Sequence, residues 1–275
     1  MYTVKNVKKP TAVASGAVAP KDPNVVIVPV DDILSWPQRD GNSVNMIGSF
    51  VMKPNTKMFT VYMSPTKIKT GFESSGDEDV ISFKHKFEGE HPGNELEIAE
   101  FIQNFTNVKC VVIYSSECDT YKKVVGTKCA PLHLKPSLKD EATRISHLVF
   151  EQASQVGYVL GHYTGSLTFA DAPVLAATPA MSIIAANTPT VQLAENNTAV
   201  VNIGFGTVEL DADQTLTLIG GGGSFVSTLT SGIGVNTSVY IVLKTADWTA
   251  AKNATITLKK LTGQGKTYFI EQYRS

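Results

Sequence analysis

The sequence predicts a mainly β protein in two parts with a single helix, and three observations carry that expectation. Short runs of alternating apolar and polar residues, punctuated by Gly, Pro, Asn and Asp, recur along the chain. One stretch alone, around residues 94–105, places apolar residues at helical spacing. Composition then changes across residues 171–179 (DAPVLAATP): all five His and all three Cys precede it, while the residues after it hold six basic and six acidic side chains among Thr, Asn, Ser and Gly.

In chain order, residues 1–22 are rich in Ala, Pro, Lys and Val and form an arm that cannot build a core. The apolar part of this arm lacks leucine, which argues for a flexible segment over a secretion signal. Residues 24–30 (NVVIVPV) form a short strand whose proline suits an edge, and Asp31-Asp32 opens a surface turn. Residues 44–52 and 58–63 are strands around the Pro54-Asn55 turn. Residues 64–79 follow as a long polar excursion, read as a protrusion that orders only on meeting a partner. Residues 80–88 return as a strand in which Ile81, Phe83, His85 and Phe87 alternate.

The helix signals agree with one another. Pro92-Gly93 breaks the strand, Asn94 is placed to cap with Glu97 three residues on, and Ile98, Phe101, Ile102 and Phe105 fall at i, i+3, i+4 and i+7. That stripe requires a sheet to lie on. Residues 109–114, 121–125, 131–135, 146–151 and 158–169 supply further strands, with a turn expected at Pro136-Ser137, so the first part holds one helix and about nine strands. The second part shows around eight short alternating runs and no helix, the pattern of an immunoglobulin-like β-sandwich. Its Gly220 to Ser224 run lacks the lysine and helix of a phosphate loop and reads as a connection.

Composition bounds function. At 275 residues and 43% apolar the chain is globular, and a net charge of −1 disfavours a protein that grips nucleic acid through its overall field. No run of 18 apolar residues is present, so no bilayer-spanning helix and no membrane partner is expected. Cys110 sits in an apolar strand as a small core residue; Cys118 and Cys129 flank a hairpin and either pair or stay free. Their spacing, with His133 nearby, matches no zinc module. No nucleophile elbow, Walker lysine, His-Glu-x-x-His or dinucleotide fingerprint occurs, and His85, His91, His133, His147 and His162 are scattered. Neither enzymatic activity nor a cofactor is expected.

Three quoted pieces, FKHKFEGEHPGNELEIAEFIQNFTNVKCVVIYSSEC, VVGTKCAPLHLKPSLKDEATRISHLVFEQAS and YVLGHYTGSL, resemble the tail tube (major tail) proteins of tailed bacteriophages over about residues 40–169. The order of elements carries the likeness: the strand into Phe87-Glu88-Gly89, the helix with Phe101 and Asn107, the strand ending at Cys118, the Gly126 to Pro131 turn, the Phe150-Glu151 strand and the closing Tyr163-Thr164-Gly165. The resemblance implies a tail-tube-like β-sandwich or barrel over residues 23–171, with residues 172–275 as a C-terminal decoration domain. It implies a virion structural protein, made in the bacterial host cytoplasm, whose hexameric rings stack into a hollow tube for DNA ejection. Its partners would be itself, other tail proteins and DNA that passes without specific binding. An exterior second domain would occupy the place of a sheath and favours a non-contractile tail.

On that basis Lys67, Lys69, Phe72, Glu73, Asp77, Glu78 and Asp79 are assigned to contacts between stacked rings. Phe59, Val61, Ile81, Phe83 and Phe87 are assigned to inter-subunit barrel strands, and Ile98, Phe101, Ile102 and Phe105 to helix packing. A lumen that releases DNA should be acidic or neutral, with Lys84, Lys86, Lys122 and Lys123 mostly outward or interfacial. Two alternatives stand: another virion component, such as a head decoration or tail terminator protein, and a carbohydrate-binding surface adhesin.

Overall fold

The computed structural model describes residues 6–9, 19–116, 119–184 and 189–275. Strands account for 47% of the chain against one ten-residue α-helix among the described residues, so the protein is mainly β. It divides into two compact units, Met1–Ser49 with Met58–Leu167, and Phe50–Lys57 with Thr168–Ser275. The segment around Pro54 thus belongs with the second unit, far from it in sequence. Most of the N-terminal arm, and Cys118, lie outside the described residues.

The strands through the first unit are β1 (Asn24–Pro29), β2 (Ile33–Ser35), β3 (Gln38–Arg39), β4 (Asn45–Ile47), β5 (Val51–Met52, in the second unit), β6 (Phe59–Tyr62), β7 (Lys69–Ser75), β8 (Ser82–Pro92), β9 (Lys109–Tyr114), β10 (Lys122–Val125), β11 (Leu132–Asp140), β12 (Arg144–Gln152) and β13 (Gly161–Tyr163). Helix α1 (Leu96–Phe105) joins β8 to β9. The apolar run KCVVIY explains the architecture: β9 is buried from Cys110 to Tyr114 and has neighbours on both edges. Along one edge lies β1; along the other β10 takes Val112 to Tyr114, and β11 takes Lys109 and Cys110. The eleven-stranded sheet therefore forks at β9. One arm runs through β10, β13, β4 and β3, the other through β11, β12, β8 and β7.

The second arm frames the rest. Strands β7, β8, β12 and β11 are antiparallel, and rungs such as Gly71–Lys86–Glu151–His133 cross all four. Their pleat divides side chains cleanly. Phe87, Leu148, Phe150, Leu132 and Leu134 enter the core with Val25, Ile27, Val61, Met63 and Val112. Ile98 and Phe105 of the helix are buried there, and Phe101 and Ile102 pack against the same cluster. Phe59 meets the rings of Phe101 and Phe105 edge-on at 5.9 and 5.4 Å.

Three local expectations are corrected. The helix begins one residue later than expected: Glu95, not Asn94, is its N-cap, with no side-chain capping bond. Pro136-Ser137 is not a turn, because β11 continues through it to Asp140, opposite Arg144. The run at 158–169 is a strand only at Gly161–Tyr163.

The second unit adds β14 (Val174–Leu175), β15 (Met181–Ile183), β16 (Thr190–Leu193), β17 (Asn202–Ile203), β18 (Phe205–Val208), β19 (Thr215–Ile219), β20 (Thr228–Leu229), β21 (Gly232–Ile233), β22 (Val239–Val242), β23 (Trp248–Thr249), β24 (Thr255–Gly263) and β25 (Lys266–Arg274). A seven-stranded sheet runs β14-β16-β19-β24-β25-β22-β21, beside the small sheets β15-β18 and β17-β20-β23. One core unites them: Val191, Leu218, Leu258 and Phe269 from the large sheet meet Ile183, Phe205, Leu229 and Trp248 from the small ones. Several pairs, β16 with β19 and β22 with β25 among them, are parallel.

Candidate assembly interface

The four-stranded arm in the first unit has one face in the core and one face of charge. The register places Lys69, Lys84, Lys86, Lys135 and Lys139 on the second face with Glu73, Glu88, Glu90 and Glu151. Glu151 bridges two of the lysines, at 2.6 Å from Lys84 Nζ and 3.0 Å from Lys135 Nζ. The hydrogen bonds from Lys84 and Lys135 hold the Glu151 carboxyl down at about 2. Lys86 donates to Glu88, which lowers the Glu88 carboxyl and raises the Lys86 ammonium. Lys67, in the short 3-10 turn Pro65–Lys67, reaches Glu90 at 3.8 Å. A shallow cleft of about 410 Å³ opens on this face, lined by Lys69, Glu73, Lys84, Lys86, Glu88 and Glu151.

Among the described residues both margins of this arm are open. β7 pairs with β8 alone, and β11 meets β9 only at Leu132 and His133, which leaves residues 134–140 with β12 as their one neighbour. Pro136 supplies no N–H, and a strand tolerates proline where that group would face away from its partner. β6 also ends the sheet, beside a groove that Phe59, Tyr62, His91, Ile98 and Phe101 line.

The polar excursion departs from expectation. Residues 69–75 form a strand paired with β8 along its whole length, so the segment is ordered within a single chain. Pairing supplies what the sequence hides, because the only large apolar side chain there, Phe72, lies against Phe83 at 5.2 Å while staying 43% exposed. Residues 76–81 form the hairpin tip, where Asp77 O accepts the Val80 N–H at 3.1 Å and Asp79 adopts a φ of 71°. Asp77, Glu78 and Asp79 are exposed there. Lys69 and Glu73 lie opposite Glu88 and Lys84.

Of the residues assigned to barrel strands, Val61 and Phe87 are core, Phe59 packs on the helix and Phe83 is half-buried on β8. Ile81 precedes the strand and is 63% exposed, with Val80 beside it at 66%. Lys84 and Lys86 are on the charged face, tied to glutamates; Lys122 and Lys123 are half-buried on β10.

Two features were missed in the sequence. The outer half of β11 continues the alternation of Leu132, Leu134 and Leu138 through Pro136, a signal legible in LHLKPSLKD. The other is a cleft of about 420 Å³ near the hairpin, where Arg39, Trp36, Met46, Lys128, Val156 and Tyr158 meet. Nothing local in the sequence joins those segments. Comparisons with protein-family models, with curated proteins and with solved structures each find no match.

Proposed function

We propose that this chain is a virion structural subunit that assembles into stacked rings and forms a hollow tail tube for genome delivery. The observation that carries the reading is the four-stranded arm with one buried face, one charge-balanced face and two open margins. An open antiparallel margin is a hazard for a lone chain, and a ring of identical head-to-tail contacts uses every margin and closes. In such a ring β7 of each copy continues the sheet beside β11 of the next. With six copies, as the resemblance implies, 24 strands at about 4.8 Å spacing and about 40° tilt give a wall roughly 48 Å across. The charged face then lines a passage wide enough for a duplex about 20 Å in diameter, which moves Lys84 and Lys86 from the expected outward or interfacial positions to the lumen, each paired with a glutamate.

In the same reading the first unit is a tail-tube-like sandwich or barrel, and the second unit, its core fed from large and small sheets alike, is an immunoglobulin-like decoration domain on the tube exterior. Its parallel pairs depart from the all-antiparallel immunoglobulin pattern. A sugar-binding role for that unit finds little aromatic platform among the described residues, where Phe225 is one of the few exposed rings. Trp248 is buried, and the Tyr240 ring lies between Tyr268, stacked at 5.3 Å, and Lys266, whose ammonium is 4.8 Å from its centroid.

Negative-stain microscopy of the purified chain tests the reading: long hollow tubes are expected. Single rings would instead indicate a terminator or decoration role, and monomers at high concentration would overturn self-assembly. Leu138→Pro, at a half-exposed position of the open β11 margin, should leave a folded monomer and abolish tubes.

A further inference from the structure

The Arg39 cleft presents two cations that form no ion pair among the described residues. Among the described residues Arg39 makes no ion pair within 4.0 Å; its guanidinium donates through Nη1 to Ser43 O at 2.7 Å and lies over the Tyr158 ring at 4.9 Å. Asp40, its neighbour in sequence, is already engaged by the Val44 and Asn45 N–H groups and the Asn45 amide. Burial lowers the Arg39 pKa from its ordinary value. Lys128 stands exposed across the cleft, and among the described residues no carboxylate lines it. A half-desolvated guanidinium left without an anion is costly, and an anion that reaches it in this apolar setting gains more than it would at an open surface.

The hairpin tip presents the converse. Asp77, Glu78 and Asp79 make no ion pair among the described residues, and exposed Val80 and Ile81 follow them directly. Three anions and two bare aliphatic side chains match two cations set among Trp36, Met46, Val156 and Tyr158. Both features also lie at one end of the four-stranded arm. Along the rung Gly71–Lys86–Glu151–His133, β7 climbs from Gly71 toward the tip while β11, read backwards, climbs from His133 toward Lys128. The tip's base is fastened at that same end, where Phe83 bridges Val156.

We propose that the hairpin tip of one copy, Asp77 to Ile81, docks into the Arg39–Lys128 cleft of a second copy standing beside it at the same height. This rests on the self-assembly reading and moves the tip's acids from contacts between rings to the contact within a ring. Tip and cleft are different residues of one chain, so the contact can repeat head-to-tail around a ring, as the self-assembly reading requires.

Charge reversal tests it on the full-length chain. Arg39→Glu, Lys128→Glu and the double tip variant Asp77→Lys/Asp79→Lys should each weaken self-association, read by sedimentation, by roughly tenfold or more. Lys128 is exposed, so that variant keeps the test valid if Arg39→Glu fails to fold. Combining Lys128→Glu with the tip reversal in one chain should restore association. A labelled peptide spanning residues 75–82 should bind wild-type protein in a salt-sensitive manner and lose about tenfold with Lys128→Glu. Variants that form tubes at wild-type concentration would overturn the docking while leaving the tube reading intact. A wild-type chain that binds the peptide but never self-associates would overturn both, since the tip would then be a ligand for something other than a second copy.

Discussion

His85 is fully buried on β8, and its ring joins two backbone segments. Nδ1 accepts the Gly126 N–H at 3.1 Å and Nε2–H donates to Tyr158 O at 2.7 Å, so the ring is neutral with its proton on Nε2. The His85 N–H donates to Gln152 Oε1 at 2.8 Å, and Gln152 passes a bond to Ala130 O at 2.6 Å. Desolvation, and then the positive charge of Arg39, lower the His85 pKa. Its folded value is therefore below the unfolded value of about 6.5, and between the two the unfolded chain binds a proton that the folded chain refuses. The associated stability is complete above pH ~6.5 and is lost as pH falls toward the folded value. Urea midpoints at pH 7.5 and 5.5 should show that loss in wild type, whereas His85→Gln should be weaker at pH 7.5 and show less pH dependence; equal slopes would refute the assignment. Glu271, 3% exposed, shifts in the same direction for the opposite reason: its charged form is favoured, where burial disfavours that of His85. Arg274 grips it with bonds of 2.7 and 2.6 Å, the Lys244 N–H adds a third, and its carboxyl falls below the usual range. Its contribution is present above pH ~4.5 and lost as pH falls through the folded value. Glu271→Ala, which leaves a partly exposed guanidinium unpaired, should cost the second unit about 2 kcal/mol by denaturant titration.

At the level of elements, helix α1 supplies its apolar stripe to the core, so Phe105→Ala should cost about 3 kcal/mol, measured by urea unfolding, while Glu100→Ala on its exposed side should change little. This element was legible because Ile98, Phe101, Ile102 and Phe105 encode their own period. β12 was legible for a related reason: Ser146, Leu148, Phe150 and Gln152 alternate with half-buried neighbours. Two margins were not. β7 is exposed along most of its length and carries one large apolar residue, so nothing in KTGFESS encodes a strand until β8 pairs with it. In β11, Pro136 imitates a turn signal, yet within one chain the N–H that proline lacks would face the open margin, so its pairing with β12 is kept. The Arg39 cleft unites residues 36–46, 126–129 and 155–158, a juxtaposition created by the fold of the sheet and by no local pattern.

For the whole molecule, the charged face of the arm decides whether a passage lined by it would release DNA. Five lysines on that face would be a phosphate-binding surface if left bare, since each cation that meets a phosphate adds salt-dependent affinity. Here Glu151 occupies Lys84 and Lys135 together, and Glu88 occupies Lys86. A phosphate would have to displace carboxylates already in place, and the face would repel it nearly as much as attract it. Removing the carboxylates should therefore create affinity without adding any positive residue. Glu88→Gln/Glu151→Gln keeps side-chain size, frees three lysines per subunit and should leave assembly unaltered because both residues lie away from the open margins. Assembled wild-type protein is expected to bind a short fluorescent duplex weakly at 50 mM salt, with little salt dependence. The variant should bind it at least tenfold more tightly and weaken steeply as salt rises, with a slope on log–log axes more negative by about one unit for each lysine that engages a phosphate. Anisotropy titrations at several salt concentrations read this directly, and equal slopes for the two proteins would mean that the paired face does not meet DNA.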